Sequence, residues 1–175
     1  MRRILAAMCL FALVVHHAKA QEIALADQAP ATLSVWGGEF DSVQRRNSAA
    51  EFGAEYRSST MLWYLQPMAG VMHTANGATD AFAGVGIDVV LWDHLLFRPS
   101  FAPSLYARGN AKDLGGSVQF RSAAELAYRF DDDQSLGATF YHLSNAGLAS
   151  KDPGEQSLVV IYTLPVTTLA GLFSK

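Results

Sequence analysis

The sequence has one cysteine, few basic residues and, beyond its first twenty residues, no long apolar run. Cys9 is the only cysteine among the 175 residues, and it lies in a segment that we expect to be removed. The mature chain therefore has no disulfide, no thiolate nucleophile and no cysteine-based metal site. After residue 20, no stretch approaches the roughly 20 apolar residues that a membrane-spanning helix needs.

The first twenty residues have the pattern of a secretory signal peptide. Two arginines precede an apolar run from Ile4 to Val15, and Ala18-Lys19-Ala20 supplies the small residues of a cleavage site. No cysteine follows this site, which argues against a lipoprotein. We expect cleavage near Ala20, which removes residues 1–20 and leaves residues 21–175 as a single domain.

The charge balance excludes the usual nucleic-acid-binding proteins. The chain has 13 Lys and Arg against 16 Asp and Glu, and three of the basic residues lie in the expected signal peptide. Ten basic residues against sixteen acidic ones give the mature chain a net charge of about −6. Half of the chain is nevertheless apolar. This combination fits an outer-membrane β-barrel, with a soluble periplasmic β-protein as the alternative.

Apolar and polar residues alternate with a period of two, which indicates strands rather than helices. In the segment 117–130, Phe120 and Leu126 fall on one face, whereas Arg121 and Glu125 fall on the other. The pattern predicts eight strands, at 32–40, 50–57, 61–73, 79–90, 95–106, 117–130, 134–144 and 156–165. Short turns alternate with mostly longer polar loops along the chain. We therefore expect an all-β fold, an eight-stranded antiparallel transmembrane β-barrel of the outer membrane with periplasmic termini.

Two groups of side chains have expected places in such a barrel. Aromatic residues near strand ends are expected to form interfacial girdles, namely Trp36, Trp63, Trp92, Tyr128, Phe130 and Tyr141. Charged residues on the inner face are expected to fill a narrow lumen with salt bridges, namely Glu51, Glu55, Arg57, Arg121, Glu125 and Arg129. Neither His73 nor His94 has a second potential ligand at the spacing of a metal site, so no metal site is expected.

The stretch YHLSNAGL, residues 141–148, ends the seventh predicted strand at the outer surface. His142 and Ser144 are two positions apart, which puts their Cα atoms roughly 6.6 Å apart and their side chains on one face. That face also carries Leu136 and Phe140, so the pair is expected to face the lipid. A polar pair in this position is costly unless it lies at the interface or has a function. A His and a Ser bonded to interfacial water are the alternative to a catalytic pair.

A serine–histidine pair needs a third group to orient the imidazole. Glu155, at the start of the eighth predicted strand, is the best candidate, and Asp152 is the second choice. Strict alternation gives Glu155 the wrong face, so a bulge at Gly154 would have to turn it outward. Backbone N–H groups and the side chain of Asn145 are candidates for an oxyanion hole, whose backbone geometry a glycine such as Gly147 permits.

The segments HLSNAGL, KDPGE and VVIYTLP resemble the C-terminal signature of the PagL family, the lipid A 3-O-deacylases. The resemblance is specific in residues 136–165. In the rest of the chain only the architecture agrees, namely a signal peptide, about 150 mature residues and eight strands. It implies an outer-membrane ester hydrolase that needs no cofactor. Its catalytic residues would be Ser144 as nucleophile, His142 as base and Glu155 as acid, with Asn145, Ala146 and Gly147 around the oxyanion. The loop between His142 and Glu155 is one residue shorter than the family pattern.

The resemblance also implies the partners. The expected substrate is lipid A, the lipopolysaccharide anchor of the outer leaflet, and other outer-membrane lipids are expected neighbours. A homodimer is a further possible partner arrangement. Five basic residues of the outer loops are interpreted as solvated charges, with lipid A phosphates as the alternative partners: Arg45, Arg46, Arg108, Lys112 and Lys151. The other candidate functions are a structural or adhesion barrel, a phospholipase and a lipid A acyltransferase. The tail, residues 166–175, has no predicted structure.

Overall fold

The structure is a computed structural model that describes residues 23–173, so the expected signal peptide, residues 1–20, lies outside the described residues. One short helix, α1 (Val166–Phe173), follows the strands. The strands are β1 (Ile23–Leu25), β2 (Thr32–Phe40), β3 (Ala49–Arg57), β4 (Gln66–Thr74), β5 (Thr79–Gly86), β6 (Val89–Leu91), β7 (Leu95–Ala107), β8 (Val118–Arg129), β9 (Ser135–Ser144) and β10 (Glu155–Pro165).

Eight of the strands close into an antiparallel barrel. The order around the barrel is β2-β3-β4-β5-β7-β8-β9-β10, and β10 pairs again with β2. The predicted fold class is confirmed. Within residues 23–173, no helix is both long and apolar enough to cross a membrane.

The predicted strand 79–90 is interrupted. After β5, residues 87 and 88 leave the ladder, and β6 continues along β7. The short strand β1 pairs with the free edge of β6. The interruption lets Asp88 turn inward, where its carboxylate meets Arg57 at 3.6 Å and Arg98 at 3.3 Å.

Charged side chains fill the lumen, as the alternation predicts. Arg57 pairs with Glu55 at 2.6 Å, and Arg98 pairs with Glu125 at 2.8 Å. These residues are buried, so each ion pair satisfies charges that would otherwise be costly inside the barrel. Arg129 differs from the prediction, because its guanidinium donates to a backbone carbonyl of the turn that precedes β7.

Two of the expected girdle aromatics are inside the barrel instead. Trp36 and Tyr141 are buried, and the guanidinium of Arg121 lies 5.8 Å and 4.0 Å from their ring centres. Their positions on the inward faces of β2 and β9 explain the difference, since alternation and not residue type sets the face. Trp63, by contrast, is 89% exposed.

The outer loops, residues 41–48, 75–78, 108–117 and 145–154, lie at one end of the barrel. The ammonium of Lys112 donates to Asp41 at 2.8 Å, and both side chains are buried. Lys112 is therefore not the solvated charge that the sequence suggests. Burial opposes the ionisation of Asp41, but the bond from Lys112 and two backbone N–H groups hold the pKa of its carboxyl below the usual value.

The chain beyond the last strand is helical at the opposite end of the barrel. Helix α1 begins directly after Pro165, and the N–H of Val166 donates to the carbonyl of Ala31 at 2.8 Å. This bond attaches the start of the helix to the segment that precedes β2. The sequence alone does not place this element.

Candidate active site

The upper ends of β9 and β10 pair in regular antiparallel register. His142 lies opposite Gln156, and Leu143 lies opposite Glu155. The ladder contains no bulge at this point, so alternation holds up to Glu155, the first residue of β10. His142 and Gln156 therefore share the outward face, whereas Leu143 and Glu155 share the inward one.

The imidazole of His142 has two close neighbours on β10 and the loop before it. Its Nδ1 lies 2.9 Å from Nε2 of Gln156. On another side is Gly154, at which an added Cβ would lie 2.7 Å from Cε1 of the ring and 3.4 Å from Nε2. Gly154 also has a positive φ of 59°, which glycine adopts without strain. The ring thus occupies space that only a glycine leaves free.

Ser144 lies two residues further along the same outward face. Its Oγ donates to Oδ2 of Asp152 at 2.7 Å, and Oδ1 of the same carboxylate accepts the N–H of Asn145 at 3.1 Å. The bond from Ser144, followed by the backbone N–H groups, lowers the pKa of Asp152 from its usual value. Asp152, the second candidate for the acid, is therefore bonded to the serine and not to the histidine ring.

The structure does not bring Glu155 to His142. The side chain of Glu155 is fully buried in the lumen, where Oε1 accepts the N–H of Asp41 and lies 2.8 Å from the hydroxyl of Ser157. That hydroxyl is also 2.7 Å from the carboxylate of Glu51. The bulge that would turn Glu155 outward is absent from the described ladder, so Glu155 remains on the lumen side of the strand.

The backbone after Ser144 turns the amide group of Ala146 back toward the serine. Ala146 and Gly147 have φ angles of 53° and 77°, in the left-handed region. In this turn the N–H of Ala146 donates to Oγ of Ser144 at 3.0 Å. Ala146 therefore supplies a backbone N–H donor beside Ser144, although in this structure that N–H bonds to Oγ itself and not to the place of a substrate oxygen.

The side chain of Asn145 connects loops and is not placed as the oxyanion donor that the sequence predicts. Its Nδ2 donates to the carbonyls of Leu114 and Lys151, at 2.8 Å and 2.7 Å, and its Oδ1 accepts the N–H of Gly147 at 2.9 Å. The side chain is buried, and its amide protons are used in these bonds. Asn145 thus ties together two outer loops, and its amide is not free to bind an oxyanion.

The rim of the site carries paired charges. Asp113 accepts from Lys151 at 2.7 Å and lies 3.3 Å from Arg108. The bond from Lys151, then a backbone N–H, lowers the pKa of Asp113. Both basic side chains are more than half exposed, so an anionic group could reach them. Within the described part of the chain, no cluster of three or more His, Cys, Asp or Glu could hold a metal ion.

Sequence reasoning missed Gln156 and the packing of Gly154 on His142. The signal for Gln156 was present, because alternation places it on the same face as Leu158 and Val160. A glutamine carries no charge, so residue type does not mark it as the partner of a catalytic histidine. The contact with Gly154 had no sequence signal, because it depends on how the loop returns to β10.

Known proteins resemble this chain in sequence and in fold. A model of the family described as "Lipid A 3-O-deacylase (PagL)" matches residues 19–165. A solved structure described as "Crystal structure of the outer membrane enzyme PagL" aligns with a TM-score of 0.63 at 18% identity. The alignment covers 77% of this chain and 99% of that one, and at this identity it shows the fold alone. No curated protein matches the chain.

Proposed function

The chain belongs to the lipid A 3-O-deacylase (PagL) family, and from this premise we propose that Ser144 and His142 hydrolyse the 3-O-linked acyl ester of lipid A. Membership makes the chain an ester hydrolase of the outer membrane. The observation that carries the proposal is the shared outward face of the two residues, at the outer end of β9 and beside the N–H of Ala146.

The position suits a substrate that lies in the outer leaflet. Phe140 and Leu158, one row below the site, are exposed on the lipid-facing surface. Above the site are the polar outer loops with the exposed Lys151 and Arg108. Acyl chains would lie along the apolar surface, and the phosphorylated sugar would meet the loops.

In the proposed first half-reaction, Oγ of Ser144 attacks the acyl carbonyl carbon. The hydroxyl first turns from Asp152 toward the imidazole of His142, which takes the serine proton as the Oγ–carbon bond forms. The N–H of Ala146 stabilises the negative oxygen of the tetrahedral intermediate. The bond between the carbonyl carbon and the sugar oxygen then breaks, and His142 returns the proton to that oxygen.

The second half-reaction frees the enzyme. The acyl chain is now an ester of Ser144, and His142 takes a proton from a water molecule that attacks it. Collapse of this intermediate releases a 3-hydroxy fatty acid and restores the serine hydroxyl. Side chains and water supply every group in this sequence, so no cofactor takes part.

Mass spectrometry of lipid A from cells that express the protein tests the proposal. Loss of one 3-hydroxyacyl chain, from the 3-position and not elsewhere, is the expected result. Gain of an acyl chain would indicate an acyltransferase. Unchanged lipid A in cells whose outer membrane contains the folded barrel would indicate a structural protein or a phospholipase.

A further inference from the structure

We propose that Gln156 is the positioning residue of His142, so that a neutral amide stands where a serine hydrolase ordinarily has a carboxylate. The inference rests on the proposed function and names a member of its site. The register of β9 and β10 places Gln156 directly across from His142 on the same face, and Nε2 of Gln156 lies 2.9 Å from Nδ1 of His142.

Gln156 is held firmly enough to position a ring. Its main-chain carbonyl oxygen accepts two hydrogen bonds from Ser42, from the backbone N–H at 2.8 Å and from the hydroxyl at 3.1 Å, so the backbone from which the amide extends is fixed. Gly154 limits the ring from the other side, where an added Cβ would lie 2.7 Å from Cε1. The imidazole of His142 is thus confined between the amide of Gln156 and the backbone of Gly154, and each is fixed by its own strand or loop.

An amide can select the ring tautomer that catalysis requires. A half-turn of the terminal amide exchanges Nε2 of Gln156 for Oε1, and Oε1 can accept a hydrogen bond from the ring only when Nδ1 carries the proton. In that tautomer the other ring nitrogen of His142 carries a lone pair and can take the proton of Ser144. When Nε2 of Gln156 faces the ring, Nδ1 of His142 accepts the hydrogen bond and the other ring nitrogen carries the proton. The ring is then unable to act as a base through that other nitrogen.

Neither nearby carboxylate is placed to do this work. Glu155 is on the lumen side of β10, and Asp152 is bonded to Ser144 and to the N–H of Asn145. A neutral partner orients the ring but stabilises the imidazolium form less than a carboxylate does. A glutamate at position 156 would add that stabilisation without changing the geometry.

Steady-state release of 3-hydroxy fatty acid from lipid A, by the purified full-length mature protein in micelles, tests the role. Gln156→Leu is expected to lower kcat about tenfold or more with KM nearly unchanged, because only the orientation of the base is lost. Gln156→Glu is expected to keep or raise kcat and to move the acid limb of the pH–rate profile to higher pH by about one unit. Gln134→Leu, at the opposite end of the barrel, is the matched control and should behave as the unaltered protein.

The outcomes separate this inference from the proposed function. Heat-modifiable gel mobility establishes that each variant is a folded barrel. If Gln156→Leu has the unaltered kcat, or if the Gln156→Glu profile does not move, Gln156 does not position the ring. A large loss in Glu155→Gln, with none in Gln156→Leu, would assign the role to Glu155. Full activity in Ser144→Ala would instead overturn the proposed function itself, whatever the result at position 156.

Discussion

The hydroxyl of Ser144 donates a hydrogen bond to Asp152 at 2.7 Å, and His142 is the preceding outward residue on the strand of Ser144. The serine is therefore held in a resting position by a carboxylate that also fixes the N–H of Asn145. Binding of an ester at this position has to release the hydroxyl from Asp152 before His142 can take its proton. Catalytic hydrogen bonds often form only in the substrate complex, so this geometry is compatible with catalysis.

Asp152→Asn tests whether this carboxylate titrates in the reaction. The pKa of Asp152 is lowered in the folded protein, so the carboxyl is ionised at every pH above its ordinary pKa. The stability that the ionised form contributes is lost only as the pH falls through the lower, folded-state pKa. Between about pH 5 and 9 its state is constant. The acid limb of kcat/KM should thus persist in Asp152→Asn, moved slightly to lower pH because a negative charge near His142 is removed. Disappearance of the limb in the variant would assign it to Asp152.

Gly154→Ala tests the packing of the ring. The added Cβ would lie 2.7 Å from Cε1 of His142, so the imidazole has to move, and kcat is expected to fall about tenfold or more. Gly77→Ala is the control, because its φ of 89° carries a similar backbone strain while the nearest atom is 3.9 Å away. Both variants should lose about 1 kcal/mol of stability. Equal activities in the two variants would contradict the contact.

Lys112→Met tests the buried ion pair of the outer loops. The change leaves the carboxylate of Asp41 buried without its cation, which is expected to cost about 3 kcal/mol in the free energy of unfolding by denaturant. Lys151→Met removes a cation of the same type from an exposed pair and should leave the unfolding midpoint unchanged. Equal stability of the two variants would contradict a buried ion pair between Lys112 and Asp41.

Asn145→Ala separates a structural side chain from an oxyanion donor. The carbonyl of Leu114, in a buried bond, and that of Lys151, in a partly buried one, lose their donor, so stability should fall by about 2 kcal/mol. Activity should fall as well, because the loop that carries Ala146 is no longer fixed. A loss of activity without any loss of stability in denaturant unfolding would show that the amide contacts the substrate.

Alternation predicts the barrel and the face of most strand residues, because it is a local property; the expectation that failed at Trp36 and Tyr141 came from residue type. It places His142 and Ser144 outward and warns that Glu155 points inward, as the structure has it. It fails where a side chain's role depends on contacts between distant segments. The burial of Lys112 against Asp41 joins residues 71 positions apart, and no local pattern indicates it.

The third member of the site shows a second limit. The choice of Glu155 rested on residue type, and the neighbouring Gln156 had the correct face but no charge. The hydrogen bond from Asn145 to the carbonyl of Leu114 likewise joins residues of different loops, 31 positions apart. Residue type suggests which chemistry is available, but the register of two paired strands decides which residue can supply it.

The most direct test of the account compares two serines that lie beside the same imidazole. Ser144 is on the strand of His142, and Ser122 is the outward residue opposite His142 on β8. Lipid A from cells that express folded Ser144→Ala should keep its 3-O-linked 3-hydroxyacyl chain, whereas Ser122→Ala should remove the chain as the unaltered protein does. Removal of the chain at an unaltered rate by Ser144→Ala would contradict the central claim.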